Sequence, residues 1–334
     1  MRLNLIAGLL AASLAATACA GDGEDSEPGN KLRVVSTIAP ITSLVENIGG
    51  AKVDLRGLVP ENGNPHAYEL TPSDLKIVSE ADLIVLNGLR LEEPARQAIE
   101  ANRKDGTAVL ALGDLALTPA EYRYSFSYPE SAGAPNPHTW LDPTLAMEYA
   151  SLIHEKLVEL DGDNADYYDA NLAELTDRLE TLDQQIRVAT RTVPETHRRL
   201  LTYHDSWVYW ADRYSFAVVG TIQSPDFSEP SPSRISEAID LIGEQSIPAI
   251  FGSADFPTDV LETIAGETGA AYAGDLSDDD LPGEAGDSNH SYLGLMVENM
   301  RIMIAALGGS PAPLNIVETG LVFEDGPSTA GYPQ

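Results

Sequence analysis

Short apolar runs alternate with longer amphipathic ones along this chain, and the alternation occurs twice, on either side of a long unbroken stretch. From Lys31, "LRVVSTIAP" reads as a strand running into a turn and "ITSLVENIGG" as a helix closed by glycine. "KVDLRGLVP" is the next strand, "TPSDLKIVSEA" a helix with a Thr/Pro/Ser start, "DLIVLNG" a strand, "EEPARQAIEANR" a helix and "AVLALG" a strand. "DPTLAMEYASLIHEKLVEL" reads as a further helix. Ala165 to Thr190 then contains no proline or glycine, and Leu172, Leu175, Leu179, Leu182 and Ile186 fall at three- and four-residue steps. As one helix it would span about 40 Å at about 1.5 Å per residue, a rigid connector. Beyond it the pattern restarts with "RLLTYH", "FAVVGTI", "SPSRISEAIDLIGEQ", "IPAIFGS", "FPTDVLETIAGETG", "AAYAGDL" and a last helix in "DSNHSYLGLMVENMRIMIAALGG". The predicted class is α/β: two β/α lobes, each a mostly parallel sheet flanked by helices, joined by one long rigid helix. The boundaries fall at 31–160 and 193–309 for the lobes and 161–192 for the connector, with a Pro- and Gly-rich tail at 310–334. The apolar string "NIVETGLVF" in that tail is compatible with an edge element or a loose end.

The N-terminus predicts export. Arg2 precedes the apolar, small-residue run "LNLIAGLLAASLAATA", which is barely long enough to cross a bilayer and is followed at once by polar sequence. Cys19 is the single cysteine, so it has no internal partner for a disulfide. Its position after "AATA" resembles a lipoprotein cleavage site, with Ala16 where leucine is commonest. Residues 1–18 then form a lipoprotein signal peptide, Cys19 the lipidated N-terminus, and 19–30 a flexible acidic tether. With 20 basic and 52 acidic side chains the net charge is −32, which argues against a nucleic-acid partner.

Asn-Pro-His-x-aromatic occurs twice, as "NPHAY" (Asn64 to Tyr68) and "NPHTW" (Asn136 to Trp140), in a chain with only six histidines. Each proline fixes a φ angle just before the histidine, and each aromatic can anchor its loop. Open β/α sheets bind ligands at the carboxyl ends of their strands. Four candidate metal ligands lie at such ends or in the loops beyond them: His66, His138, His204 in "LLTYHDSWVYW", and Asp275. Imidazole nitrogen and carboxylate oxygen are ordinary zinc donors, and four of them complete a tetrahedron. Spacing alone does not identify this set, because only the fold can bring such distant groups together; each histidine taken singly is as readily a satisfied loop residue. His154 reads as a surface or half-buried helix residue, His197 as exposed, and His290 as a helix-cap residue.

At these residues the chain resembles the cluster A-I substrate-binding proteins, the metal-binding lipoproteins of bacterial zinc and manganese ABC importers. The likeness covers nearly all of 31–308 and rests on "VVSTIAPITSLVENIGG", "NPHAYELTPSDLKIVSEADLIVLNG", "NPHTWLDP", "YHDSWVYWADRY" and "GDLSDDDLPGEAGDSNHSYLGLMVEN". The resemblance implies two β/α lobes joined by a rigid helix, with one metal ion between them delivered to a membrane permease driven by a cytoplasmic ATPase. It places the family's ligands on His66, His138, His204 and Asp275, with Asp278 or Asp279 as the competing alignments for the fourth. The family usually has aspartate where Asn136 stands, a change expected to remove an acceptor for the loop, and the 117–134 loop lacks the His-rich tract of many zinc-specific members. Three imidazoles and one carboxylate favour Zn²⁺, with Mn²⁺ or mixed use as the alternative. A zinc hydrolase is disfavoured by a closed ligand set and the lack of an HExxH helix, and a surface adhesin is a third class to weigh. The expected protein is a monomer held by lipid on the outer face of the cell membrane.

Overall fold

The protein's structure, a computed structural model, describes residues 31–256, 258–323 and 330–331. The signal, tether and Cys19 readings fall outside the described residues, as does most of the end of the tail. The first half runs β1 (Leu32–Ser36), α1 (Ala39–Gly49), β2 (Val53–Gly57), α2 (Pro72–Glu80), β3 (Leu83–Leu86), α3 (Glu93–Asn102), β4 (Ala108–Ala111), α4 (Leu112–Ala116) and α5 (Pro143–Leu160). The long α6 (Ala165–Thr190) follows. The second half runs β5 (Arg199–Thr202), α7 (Val208–Tyr214), β6 (Ala217–Thr221), α8 (Pro232–Gln245), β7 (Ala249–Ser253), α9 (Val260–Thr268), β8 (Ala271–Leu276) and α10 (Tyr292–Ala306).

The strands form two parallel sheets, ordered β2-β1-β3-β4 and β6-β5-β7-β8. Each order reverses direction once, between β1 and β3 and between β5 and β7, which opens a crevice at the carboxyl ends of the strands. β3 is "LIVL" with all four residues buried, as a strand covered on both faces requires. Thr71 and Asp74 form a reciprocal capping box at the start of α2, so the segment after the first Asn-Pro-His loop is held at its entrance. The strand expected over "AVLALG" stops at Ala111, because Leu112–Ala116 winds into a short helix that buries Leu112.

α6 keeps its unbroken length because nothing within it interrupts the backbone ladder, and it buries Leu175, Leu179, Leu182 and Ile186 on one face. Those residues belong to an apolar cluster that runs from β1 and α1 through α5 and α10 to Trp207, Trp210 and Phe251. The connector is therefore packed along its length against both halves. The tail packs too: Leu314, Val317 and Phe323 are buried, and Gly331 forms a single parallel bridge with Arg56 of β2.

Candidate metal centre

Both Asn-Pro-His segments fold by the same local device. The Asn64 side-chain oxygen accepts the N–H of His66 at 2.9 Å, and the Asn136 oxygen accepts the N–H of His138 at 3.0 Å. These are Asx turns, in which a short polar side chain substitutes for a backbone acceptor two residues on. The aromatics then anchor the loops. Tyr68 donates to Asp74 at 2.9 Å, and the fully buried Trp140 donates from Nε1 to the carbonyl of Asp278 at 3.0 Å.

His204 sits just past β5, beside the β5/β7 reversal, and the 277–281 loop leaves β8 next to it. Nε2 of His138 lies 3.0 Å from Nε2 of His204. Asp279 places Oδ1 at 3.4 Å from His138 Nε2 and Oδ2 at 3.6 Å from His66 Nε2 and 3.7 Å from His204 Nε2. One donor atom from each of the four residues falls within 4.8 Å of all the others. The edges of a tetrahedron around a zinc ion are about 3.3 Å for bonds of about 2.0–2.1 Å. The His138–His204 separation and the contacts to the two Asp279 oxygens lie on either side of that length. His66 Nε2 and both Asp279 oxygens are buried without a hydrogen-bond partner, an arrangement that costs free energy unless a cation joins them.

The carboxylate that lies with the three imidazoles is Asp279, not the Asp275 expected from the sequence. Asp275 lies within β8, paired with Gly252 of β7, and its exposed carboxylate accepts from Thr258 Oγ1 at 3.1 Å and from the Tyr272 hydroxyl. Asp279 takes the place in the cluster, because a donor must lie past the strand end to reach the crevice, and β8 continues to Leu276.

The "SDDD" run divides its work among three consecutive carboxylates. Asp278 turns back into its own half and accepts from Ser206 Oγ and Ser253 Oγ, each at 2.7 Å. Asp279 faces the imidazoles, and Asp280 accepts the N–H of Asn62 at 2.7 Å, tying the loop to the one that carries His66. Burial, with the charges of Asp278 and Asp279 adding to it, pushes Asp255 well above the ordinary carboxylate range. Burial also favours the neutral form of two of the rings: His66 is lowered, and His138 is pushed down to about 3 against the opposing pull of Asp279. Neutral imidazoles are the form that ligates.

The rings are also held from behind. His138 Nδ1 is 2.9 Å from Asn136 Oδ1, and His204 Nδ1 is 2.6 Å from Gln223 Oε1. His66 Nδ1 lies 3.4 Å from the Tyr128 hydroxyl, and its ring stacks on Phe227 with centroids 4.4 Å apart. Asn136 thus supplies an acceptor to its loop, contrary to the expectation that replacing aspartate would remove one; a carboxamide carries an acceptor oxygen as well. Sequence reading missed Tyr128, Gln223, Phe227 and Asp255, none of which stands in a recognisable pattern. The acidic "SDDD" run was the one available signal for Asp278 to Asp280. The remaining histidines lie elsewhere: His154 pairs with Asp169 at 2.6 Å, and His290, buried, places Nδ1 at 3.2 Å from the Pro282 carbonyl before the Ser291 cap of α10. His197 is half-buried rather than exposed, held at 3.0 Å to the Leu307 carbonyl.

Two parallel-sheet halves that gather three imidazoles and one carboxylate within 4.8 Å of one another have the make-up of a solute-binding protein for a metal cation. Residues 34–306 match the family described as ZnuA, zinc-uptake complex component A, periplasmic. The chain belongs to this family, the cluster A-I solute-binding proteins, and it is a metal-binding component of an ABC importer. It is 30% identical over 299 residues to the manganese-binding lipoprotein MntA of Halalkalibacterium halodurans, covering 90% of this chain and 96% of that one. It is also 30% identical over 296 residues to the iron-binding protein YfeA of Yersinia pestis, covering 89% and 92%. The periplasmic zinc-binding protein TroA from Treponema pallidum superposes with a TM-score of 0.75 at 29% identity, covering 83% of this chain and 99% of that one. Family members are substrate-binding transport proteins rather than enzymes, and an importer of this kind couples them to a permease and an ATPase.

Proposed function

We propose that the protein captures extracytoplasmic Zn²⁺ through His66, His138, His204 and Asp279 and presents it to its permease. The observation that carries this reading is the convergence of one donor atom from each of the four residues within 4.8 Å, with contacts of 3.0 to 3.7 Å among them that lie near the tetrahedron edge around zinc. Three nitrogen donors to one carboxylate also favour zinc over manganese, which prefers more oxygen. Among relatives, TroA is named as zinc-binding. A second reading has its own support: both Asp279 oxygens face the cluster, and a two-oxygen grip would raise the donor count to five, which suits Mn²⁺. Competitive titration with Zn²⁺ and Mn²⁺ at matched free concentrations, with metal analysis of the protein as isolated, separates the two. Zinc is expected to win by at least about tenfold, in line with its higher place in the affinity order; preferential retention of manganese would overturn the choice.

The protein is further proposed to be a monomer anchored to the outer face of the cell membrane by lipid on Cys19. Support comes from the small-residue run before Cys19 and from MntA, a relative named as a lipoprotein. Cys19→Ser is expected to move the protein from the membrane to the soluble fraction, and its continued sedimentation with membranes would refute the anchor.

A further inference from the structure

Asn136 differs from Asn64 in one respect. Both accept the N–H of the histidine two residues on, but only Asn136 also reaches the ring of its histidine, 2.9 Å from Nδ1. The other end of the carboxamide fixes which way round it sits. Its Nδ2 donates to the carbonyl of Asp205 at 2.7 Å and to Ser125 Oγ at 3.0 Å. A primary amide has two donor hydrogens and two acceptor lone pairs, and here all four are used. Asn136 is fully buried, so each of these bonds is shielded from competing water. With Nδ2 committed to a carbonyl, Oδ1 must face the imidazole, and an acceptor at that place requires Nδ1 to carry the hydrogen. The lone pair of His138 then lies on Nε2, facing Asp279 at 3.4 Å.

We propose that the Asn136 carboxamide is a positioning residue that locks His138 in the Nδ1–H tautomer, and that a carboxylate does not serve in its place. The inference rests on the proposal that His138 is a metal ligand. An aspartate at 136 would keep the acceptor toward the ring. Its second oxygen, however, would confront the Asp205 carbonyl where a 2.7 Å donor bond now stands, two acceptors with no hydrogen between them. A buried like-polarity contact of this kind forces the side chain to turn and releases the imidazole. Gln223 plays the corresponding part behind His204, at 2.6 Å from its Nδ1. Both rings therefore have an uncharged partner at Nδ1, and an aspartate at position 136 is expected to harm the site.

The test uses the purified full chain and its Asn136→Asp and Asn136→Ala variants. Zinc affinity is measured by competition with a chromophoric chelator, and the tautomers of the metal-free proteins are read from long-range ¹H–¹⁵N spectra of histidine-labelled samples. Both variants are expected to bind Zn²⁺ about 10- to 100-fold more weakly, the usual loss when a partner that orients a ligand is removed. His138 is expected to carry its hydrogen on Nδ1 in the parent chain and to lose that preference in Asn136→Ala. Binding by Asn136→Asp as tight as or tighter than the parent overturns the proposal, as does a parent His138 protonated on Nε2. The parent spectrum decides the matter even where a variant does not fold. If the parent binds neither Zn²⁺ nor Mn²⁺, the transport reading fails while the tautomer measurement still judges this one.

Discussion

Asp275 and Asp279 are four residues apart and have opposite environments. Asp275 is exposed and engaged by Thr258 and Tyr272, whereas Asp279 is buried with both oxygens turned to three imidazoles. Asp279→Ala is expected to weaken zinc binding by roughly two to three orders of magnitude, one ligand's share of a four-ligand site worth about 10–16 kcal/mol. Asp275→Ala should change it by less than about twofold, because an exposed residue outside the cluster bears on the ion only through screened charge. Isothermal titration of the two variants decides between the assignments, and a reversed order would return the fourth place to Asp275. The histidines were legible because each Asn-Pro-His motif folds locally, its Asx turn closed by a side chain two residues away. The aspartate was not, since the exact residue at which β8 ends is set by pairing with β7. Gln223 and Tyr128 left no trace at all, because their role depends on ring nitrogens brought to them from elsewhere in the chain.

α6 was readable from end to end, since a run without proline or glycine whose leucines recur every three or four residues has one good way to bury them. Leu182 is fully buried on that face. Leu182→Ala is expected to destabilise the fold by about 2–5 kcal/mol through lost burial and a residual cavity. Zinc affinity should stay near the parent value, as the metal loops lie at the strand ends rather than on the helix. Chemical denaturation paired with metal titration checks both parts; a large loss of affinity would mean that the helix sets the donor geometry. The loop elements were less legible. The 117–134 segment reads as an irregular surface connection, yet it delivers Tyr128 to His66 and Ser125 to Asn136. No periodic pattern marks such residues, because each is placed by a contact made once.

At the scale of the whole molecule the buried His66 and His138 couple folding to pH. Burial lowers His138 from 6.5 in the unfolded chain to about 3, and it lowers His66 in the same direction. Between those values the unfolded chain binds more protons than the folded one, so stability falls as pH drops. For the metal-free protein this contribution is complete above pH 6.5 and is lost progressively toward about 3. Its melting temperature should decline steadily across that window. A profile that stays flat as pH falls from about 6.5 to about 4 would show that His66 and His138 are not held neutral in the fold.

The chain by itself determined the two β/α halves, the rigid helix between them and the three histidines that the fold gathers with Asp279. Those features follow from periodicity and from turn chemistry that act over a few residues. Tertiary structure alone decided that Asp279 is the carboxylate gathered with the three imidazoles, that Asp280 ties the two loops together, and that carboxamides rather than carboxylates face Nδ1 of His138 and of His204. Each of these depends on where a strand ends or on which group lies opposite across the crevice. Such placements are fixed when the two sheets pack, by steric fit and by the need to satisfy buried polar atoms, and no local pattern encodes them.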